Sequence, residues 1–175
     1  MLPRLLAVVA LTAAVVLAPG TAVAERAVPR ARPAPWTAPL GGALHVTRGF
    51  APPATAYGAG HRGVDLAGTP GMPVLAAGAG TVLFAGMVAG RPVVSIAHAN
   101  GLRTTYEPVD PSVAAGRAVA SGSPIGSLLT GHAGCPEAAC LHWGLLRGNA
   151  YLDPLLLLHP PRIRLLPLGR LVTDD

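Results

Sequence analysis

Glycine and proline interrupt the chain so frequently that long helices are not expected. The sequence has 22 glycines and 19 prolines among its 175 residues. Between them lie short apolar runs bounded by Gly, Pro or Asn-Gly, a pattern typical of β-strands. The runs cover residues 43–50, 73–76, 80–88, 92–97, 103–108, 118–129 and 142–147. Asn100-Gly101 predicts a hairpin, so we predict an all-β, mostly antiparallel domain with a short closing helix or turn at residues 151–158.

The amino terminus has the features of an export signal. Arg4 precedes an apolar run over residues 5–17, and Ala22-Val23-Ala24 matches a small-residue cleavage site. The run is shorter than the roughly 20 residues that a membrane-spanning helix needs. We predict a signal peptide over residues 1–24, no stable membrane span after processing, and a protein that is secreted, either extracellular or associated with the cell wall.

Composition divides the remaining chain into three parts. Residues 25–39 are rich in proline and arginine and predict an extended linker. Residues 40–158 hold the predicted domain, and residues 159–175 form an Arg- and Pro-containing tail to which we assign no function. Loss of Arg4 with the signal peptide would lower the formal net charge from +5 to +4, which favours an anionic surface such as a cell wall.

Two histidines and one aspartate form the most informative chemical pattern. His61 and Asp65 lie four residues apart among glycines, and His142 opens the last apolar run. Two imidazoles and a carboxylate are a donor set of catalytic zinc sites, which keep the fourth position for water. Since zinc lowers the pKa of that water to about 7, the pattern predicts hydrolysis. The alternative is a fortuitous spacing, with His142 an ordinary half-buried side chain.

Longer motifs around these residues resemble the lysostaphin and LytM-type zinc metallopeptidases, which cut peptide bonds in peptidoglycan. The resemblance runs from about Leu44 to Leu155 and is carried by GHRGVDL at 60–66, GMPVLAAGAGTV at 71–82, HANGLRTTY at 98–106, LHWGL at 141–145 and YLDPL at 151–155. It implies a compact β-sheet fold and Zn²⁺ held by His61, Asp65 and His142. It also implies peptidoglycan or another cell-wall peptide as the partner, with no nucleic acid.

The chain departs from the family pattern at both assisting histidines. The family usually has a histidine two residues before the last metal ligand, where this chain has Cys140. A second histidine usually follows the hairpin tyrosine in a Tyr-x-His arrangement, where this chain has Pro108. Loss of one preorganised catalytic donor typically costs on the order of 100-fold to 1000-fold in rate.

Four residues are candidates to replace the missing groups. Glu107 is one residue from a vacant position, and strand alternation predicts that it faces the other side of its strand. The candidates are Glu107, His98, His132 and Tyr106. Two hypotheses stay open: a secreted zinc metalloendopeptidase acting on peptidoglycan, and a catalytically degenerate zinc-binding module that binds the cell wall or regulates a hydrolase.

Cys135 and Cys140 are the only cysteines in the sequence. In an exported protein, two cysteines this close together predict a disulfide, here closing a loop before His142. The alternative is that Cys140 supplies a thiolate as a fourth zinc ligand, which would make a closed structural site. That alternative would leave Cys135 as an unpaired thiol.

Overall fold

The computed structural model describes residues 36–55 and 58–159. The predicted signal peptide, the linker up to residue 35 and the tail from residue 160 lie outside the described residues, so these assignments stay predictions. No helix in the described part of the chain is long and apolar enough to cross a membrane.

The regular structure of the described residues consists of short strands and one helical turn. The helix is α1 (Leu155–Leu158). The strands are β1 (Val46–Arg48), β2 (Gly63–Gly68), β3 (Pro73–Leu75), β4 (Gly80–Val88), β5 (Arg91–Ala97), β6 (Leu102–Glu107), β7 (Val109–Pro111), β8 (Ala118–Val119), β9 (Pro124–Leu128), β10 (Ala139–Arg147) and β11 (Ala150–Leu152).

The strands form two antiparallel sheets. The larger has eight strands in the order β1-β2-β10-β6-β5-β4-β8, with β11 paired to β10, and the smaller has the order β3-β9-β7. The hairpin between β5 and β6 turns at Asn100-Gly101, where Gly101 has a φ of 75° that glycine adopts without strain. The predicted all-β, mostly antiparallel fold is confirmed.

Three strands were not predicted, and one predicted strand is divided. The run at 118–129 forms β8 and β9, which belong to different sheets and flank Gly122 with a φ of 78°. The unpredicted strands are β2, β7 and β11. Of these, β2 matters most because it lies between β1 and β10 and carries Asp65.

The core lies against one face of the large sheet. Leu141 and Trp143 of β10 belong to the buried cluster together with Leu66, Ile96 and Tyr106. Because side chains alternate along a strand, His142 between Leu141 and Trp143 faces the opposite side of the sheet. One strand thus packs into the core on one face and carries His142 on the other.

Trp36 packs against the domain at its amino-terminal edge. Its ring meets the ring of His98 edge to face, with centroids 4.8 Å apart, and the backbone N–H of Thr37 donates to the carbonyl of Ala77 at 2.8 Å. Trp36 therefore anchors the chain to the domain, and the packed structure begins a few residues before Leu40.

A buried polar chain links the core side chains of His98, Thr104 and Tyr106. The N–H of Ala77 donates to the Tyr106 hydroxyl at 2.9 Å, and that hydroxyl lies 2.8 Å from Thr104 Oγ1. Nε2 of His98 lies 2.9 Å from the same Oγ1, and Nδ1 lies 2.9 Å from the carbonyl oxygen of Ala79. Burial raises the pKa of Tyr106 to about 12 and lowers the pKa of His98, so both are neutral near pH 7.

Tyr106→Phe should lower the free energy of unfolding by about 1–3 kcal/mol, because the N–H of Ala77 loses its acceptor in a dry environment. Urea denaturation would measure the change. The matched control is Tyr151→Phe, at a side chain that is 40% exposed, where we expect a change within about 0.5 kcal/mol. Equal effects of the two substitutions would contradict a structural role for the Tyr106 hydroxyl.

Candidate metal centre

Strand pairing brings the three predicted metal ligands together. His61 precedes β2 and is held by a two-way backbone bridge to Ala51. Asp65 lies within β2, directly opposite His142 of β10 in the antiparallel register. Opposed residues of neighbouring strands place their side chains on the same face, about 5 Å apart at Cβ. The register therefore joins two residues that are 77 positions apart in the sequence.

The donor atoms of the three side chains converge on one point. His61 Nε2 lies 3.0 Å from Asp65 Oδ1 and 3.0 Å from His142 Nδ1. His142 Nδ1 lies 2.8 Å from the same Oδ1. A tetrahedral zinc ion with bonds of about 2.1 Å separates its ligand atoms by about 3.4 Å. Small outward movements of the side chains would therefore accommodate the ion.

A backbone carbonyl orients the imidazole of His61. Nδ1 lies 2.7 Å from the carbonyl oxygen of Gly49, and because a carbonyl can only accept, Nδ1 carries the proton. The neutral ring then presents an unprotonated Nε2 to Asp65 and His142, the form that a metal requires. Such outer hydrogen bonds fix the tautomer of metal-binding histidines, so the chain's own contacts fit the predicted zinc.

Asp65 is held in its ionised form. Its burial alone would raise the pKa of the carboxyl group. Close contacts from the imidazoles of His132 and His142 outweigh burial and hold the pKa of Asp65 well below its usual range. The carboxylate, 2% exposed, is therefore ready to bind a cation.

Glycines make room for the site. A Cβ on Gly63 would lie 2.5 Å from the carbonyl oxygen of Trp143 and 2.7 Å from Nε2 of His142. A Cβ on Gly60 would lie 2.7 Å from the carbonyl oxygen of Ala51, which belongs to the bridge that holds His61. These two glycines thus allow close contacts with the predicted ligand His142 and with the backbone bridge that holds His61.

An open groove of about 520 Å³ lies over the predicted ligands. His61, His142, His132 and Glu107 contribute to its lining. Four arginines also line it: Arg48, Arg62, Arg91 and Arg103. The groove therefore gives access to the predicted metal ligands, and most of the charged side chains that line it are positive.

Glu107 faces the groove, contrary to the prediction from strand alternation. It is the register partner of His142, so the two side chains share a face. Its Oε2 lies 3.6 Å from Nε of Arg91. The prediction was wrong because it took position 108, where the family usually has a histidine, as the reference for the site. The pairing of β6 with β10 instead determines which face of β6 carries the site, and Glu107 lies on that face.

Two of the remaining candidates lie away from the site and one lies beside it. His98 and Tyr106 face the core, where the polar chain engages them. Nε2 of His132 instead lies 3.1 Å from Asp65 Oδ1, and its ring stacks on that of His142 with centroids 5.6 Å apart. The sequence identified His132 as a candidate, but no pattern in the loop between β9 and β10 predicted the direction of its side chain.

The two cysteines form the predicted disulfide. Cys135 and Cys140 are bonded, with their Cα atoms 5.7 Å apart. A disulfide sulfur has no thiolate to offer, so the structure does not support Cys140 as a fourth metal ligand. The bond instead ties the loop that carries His132 to β10, two residues before His142.

Gly63→Ala should weaken zinc binding about 10-fold to 100-fold, the usual effect of disturbing the support of a metal ligand, because the new methyl group displaces the ring of His142. Competition with a chromophoric chelator would measure the affinity. Gly41→Ala is the control, since a Cβ there meets nothing within 4 Å. Equal zinc affinity in both variants would contradict the assignment of His142 as a ligand.

The comparisons with known proteins agree with this geometry. The family model described as Peptidase family M23 matches residues 59–154, more than half of the chain. An uncharacterized protein of Mycobacterium tuberculosis (strain H37Rv) is 56% identical over 128 residues, which are 71% of this chain and 51% of the relative. An uncharacterized protein of Mycobacterium bovis matches equally. The chain thus spans about half the length of these curated relatives.

Solved structures show the same fold. A zinc containing peptidase from Vibrio cholerae aligns with a TM-score of 0.57 and 26% identity, over 69% of this chain and 39% of that one. Lysostaphin from Staphylococcus simulans aligns with a TM-score of 0.56 and 26% identity, over 66% of this chain and 50% of that one. The resemblance found in the sequence motifs is therefore confirmed, and the chain belongs to peptidase family M23.

Proposed function

We propose that this protein is a secreted zinc metalloendopeptidase that hydrolyses peptide bonds in the stems or cross-bridges of peptidoglycan. The observation that carries the proposal is the convergence of His61 Nε2, Asp65 Oδ1 and His142 Nδ1 under an open groove. Three protein ligands with an accessible fourth position distinguish a catalytic zinc site from a structural one.

Metal binding and the positioning of the ligands would be carried out by different groups of the chain. His61, Asp65 and His142 would hold the ion, which when bound supplies a Lewis acid and lowers the pKa of coordinated water. The carbonyl of Gly49 keeps the His61 ring in the correct tautomer. The pairing of β2 with β10 fixes Asp65 against His142, so little reorganisation would accompany the reaction.

The groove supports a substrate that carries carboxylates. Arg48, Arg91 and Arg103 line it on different strands or strand ends, and the acidic lining residue Glu107 is already close to Arg91. A concave surface with excess positive charge attracts anionic ligands and raises their association rate. Cell-wall peptides with free carboxyl groups have the matching charge.

A second candidate function is a degenerate module that binds zinc and the cell wall, or regulates a wall hydrolase, without cutting. It is favoured by Cys140 and Pro108, which occupy the positions expected for assisting histidines. A metal that stabilises the fold would also retain its three ligands. Catalysis by this chain consequently needs another side chain to assist.

Zinc content and hydrolysis should be measured together on the processed protein. We expect about one zinc per chain and release of soluble muropeptides from purified peptidoglycan. His142→Ala should lose both, because it removes one of three ligands, whereas the control His45→Ala alters an exposed side chain and should keep both. Zinc without release in the wild type would support the degenerate module, and absence of zinc would contradict both functions.

A further inference from the structure

We propose that the outer edge of β4 is a self-association surface, where a second copy of this chain pairs antiparallel and joins the two large sheets into one. The edge consists of residues 83–88, with the sequence LFAGMV. The inference goes beyond the proposed peptidase function and does not depend on it, because neither zinc nor cleavage enters its argument or its test.

The outer edge of β4 is open over most of its length. Its neighbour β8 pairs only with the first two residues of β4, Gly80 and Thr81. The loop before β8 then bonds the backbone of Val82 in both directions. In the part of the chain that the structure describes, no other strand pairs with residues 83–88 on that side. An open edge of this kind is a template for another strand.

A proline determines which backbone groups of the edge are free. Met87 is the register partner of Pro92 in β5. Because Pro92 has no N–H, the two residues form a pair without hydrogen bonds to each other. Met87, and Ala85 two residues before it, therefore direct their N–H and C=O groups away from β5. Neither has another backbone partner among the described residues, so a further strand can bond both.

The side chains of the edge are complementary to those of an identical antiparallel strand. A two-fold axis through Ala85 sets Phe84 of each copy opposite Gly86 of the other. This pair is not hydrogen-bonded and is the closer of the two kinds, but Gly86 has no side chain to clash with the ring. Leu83 then lies opposite Met87. Diagonal neighbours lie within reach of aromatic side chains, so the two Phe84 rings can meet across the axis.

Exposure and charge favour a second copy of this chain as the occupant. Four large apolar residues of the edge are at least 40% exposed: Leu83, Phe84, Met87 and Val88. Identical surfaces bring like charges together, which destabilises strand pairing, and the chain has a formal net charge of +5. Residues 80–88 contain no charged side chain, so two copies can meet here without that repulsion. The opposite edge of the large sheet, at β1, carries Arg48.

The exposed area sets the strength of the contact. The four apolar residues offer about 400 Å² per copy, taking about 200 Å² for each fully exposed residue, whereas a stable interface typically buries about 800 Å² per partner. We therefore expect a reversible dimer with a Kd on the order of 100 µM. Because each copy contributes the same edge, association closes at two.

Pairing of this kind places both candidate metal centres on one side of the joined sheet. Residues opposed across an antiparallel pair share a face, so the groove face of one copy continues into that of the other. The hairpin that follows β4 borders the groove, since Val88 and Arg91 line it. The two grooves would open in the same direction, an arrangement that favours attachment to an extended polymer through two sites.

Sedimentation equilibrium of the processed protein from about 10 µM to about 1 mM tests the proposal. We expect the wild type to convert reversibly from monomer to dimer. Phe84→Lys places a charge beside the axis in both copies and should weaken the dimer at least about tenfold. The control Leu156→Lys adds the same charge at a 49% exposed residue of α1 and should dimerise like the wild type. Met87→Lys, at a 63% exposed residue, serves if Phe84→Lys does not fold.

Amide hydrogen exchange followed by NMR locates the contact. Where the dimer predominates, the N–H groups of Ala85 and Met87 should exchange at least about tenfold more slowly in the wild type than in the monomeric lysine variant. The N–H of Gly86, which already faces β5, should change little.

Each outcome decides the proposal. A monomeric wild type at every concentration would overturn it and leave the edge to another occupant, such as an extended segment of a different protein. Assembly beyond the dimer would overturn it, as would equal weakening by Leu156→Lys. A dimer in which Ala85 and Met87 gain no protection would have its contact elsewhere, which also overturns the assignment to β4.

Discussion

The antiparallel pairing of β2 with β10 is the interaction on which the candidate metal centre depends. It sets Asp65 opposite His142 and leaves Leu141 and Trp143 facing the core. A shift of one residue in this register would turn the face of β10 that carries His142 inward and its core face outward. The buried packing of Trp143 therefore also secures the position of His142, so the stability of the core and the geometry of the site are set by the same strand.

The fold class follows from local signals, whereas the site depends on long-range pairing. Turn residues and short apolar runs predicted most strands, because glycine and proline act on the backbone where they stand. β2 escaped prediction because Gly63, Asp65 and Gly68 are poor strand formers, and its pairing with two neighbouring strands overrides that preference. The orientation of Glu107 was mispredicted for a related reason, since its face is set by its partner His142.

The predicted ligand residues were recognisable from their types and motifs, but the position of His132 beside them was not. His61 and Asp65 belong to one local motif, which the family resemblance makes specific. His132 lies in a loop whose path depends on the bond between Cys135 and Cys140, and no periodic pattern encodes such a path. The sequence pattern alone therefore did not show that the fold brings His132 beside Asp65.

We propose that two histidines and one aspartate bind zinc with no sulfur and no third histidine. Zinc K-edge X-ray absorption of the purified protein tests it most directly. We expect only nitrogen and oxygen neighbours at about 2.0–2.2 Å, with the outer scattering of two imidazoles. A sulfur neighbour at about 2.3 Å, or the scattering of three imidazoles, would contradict it.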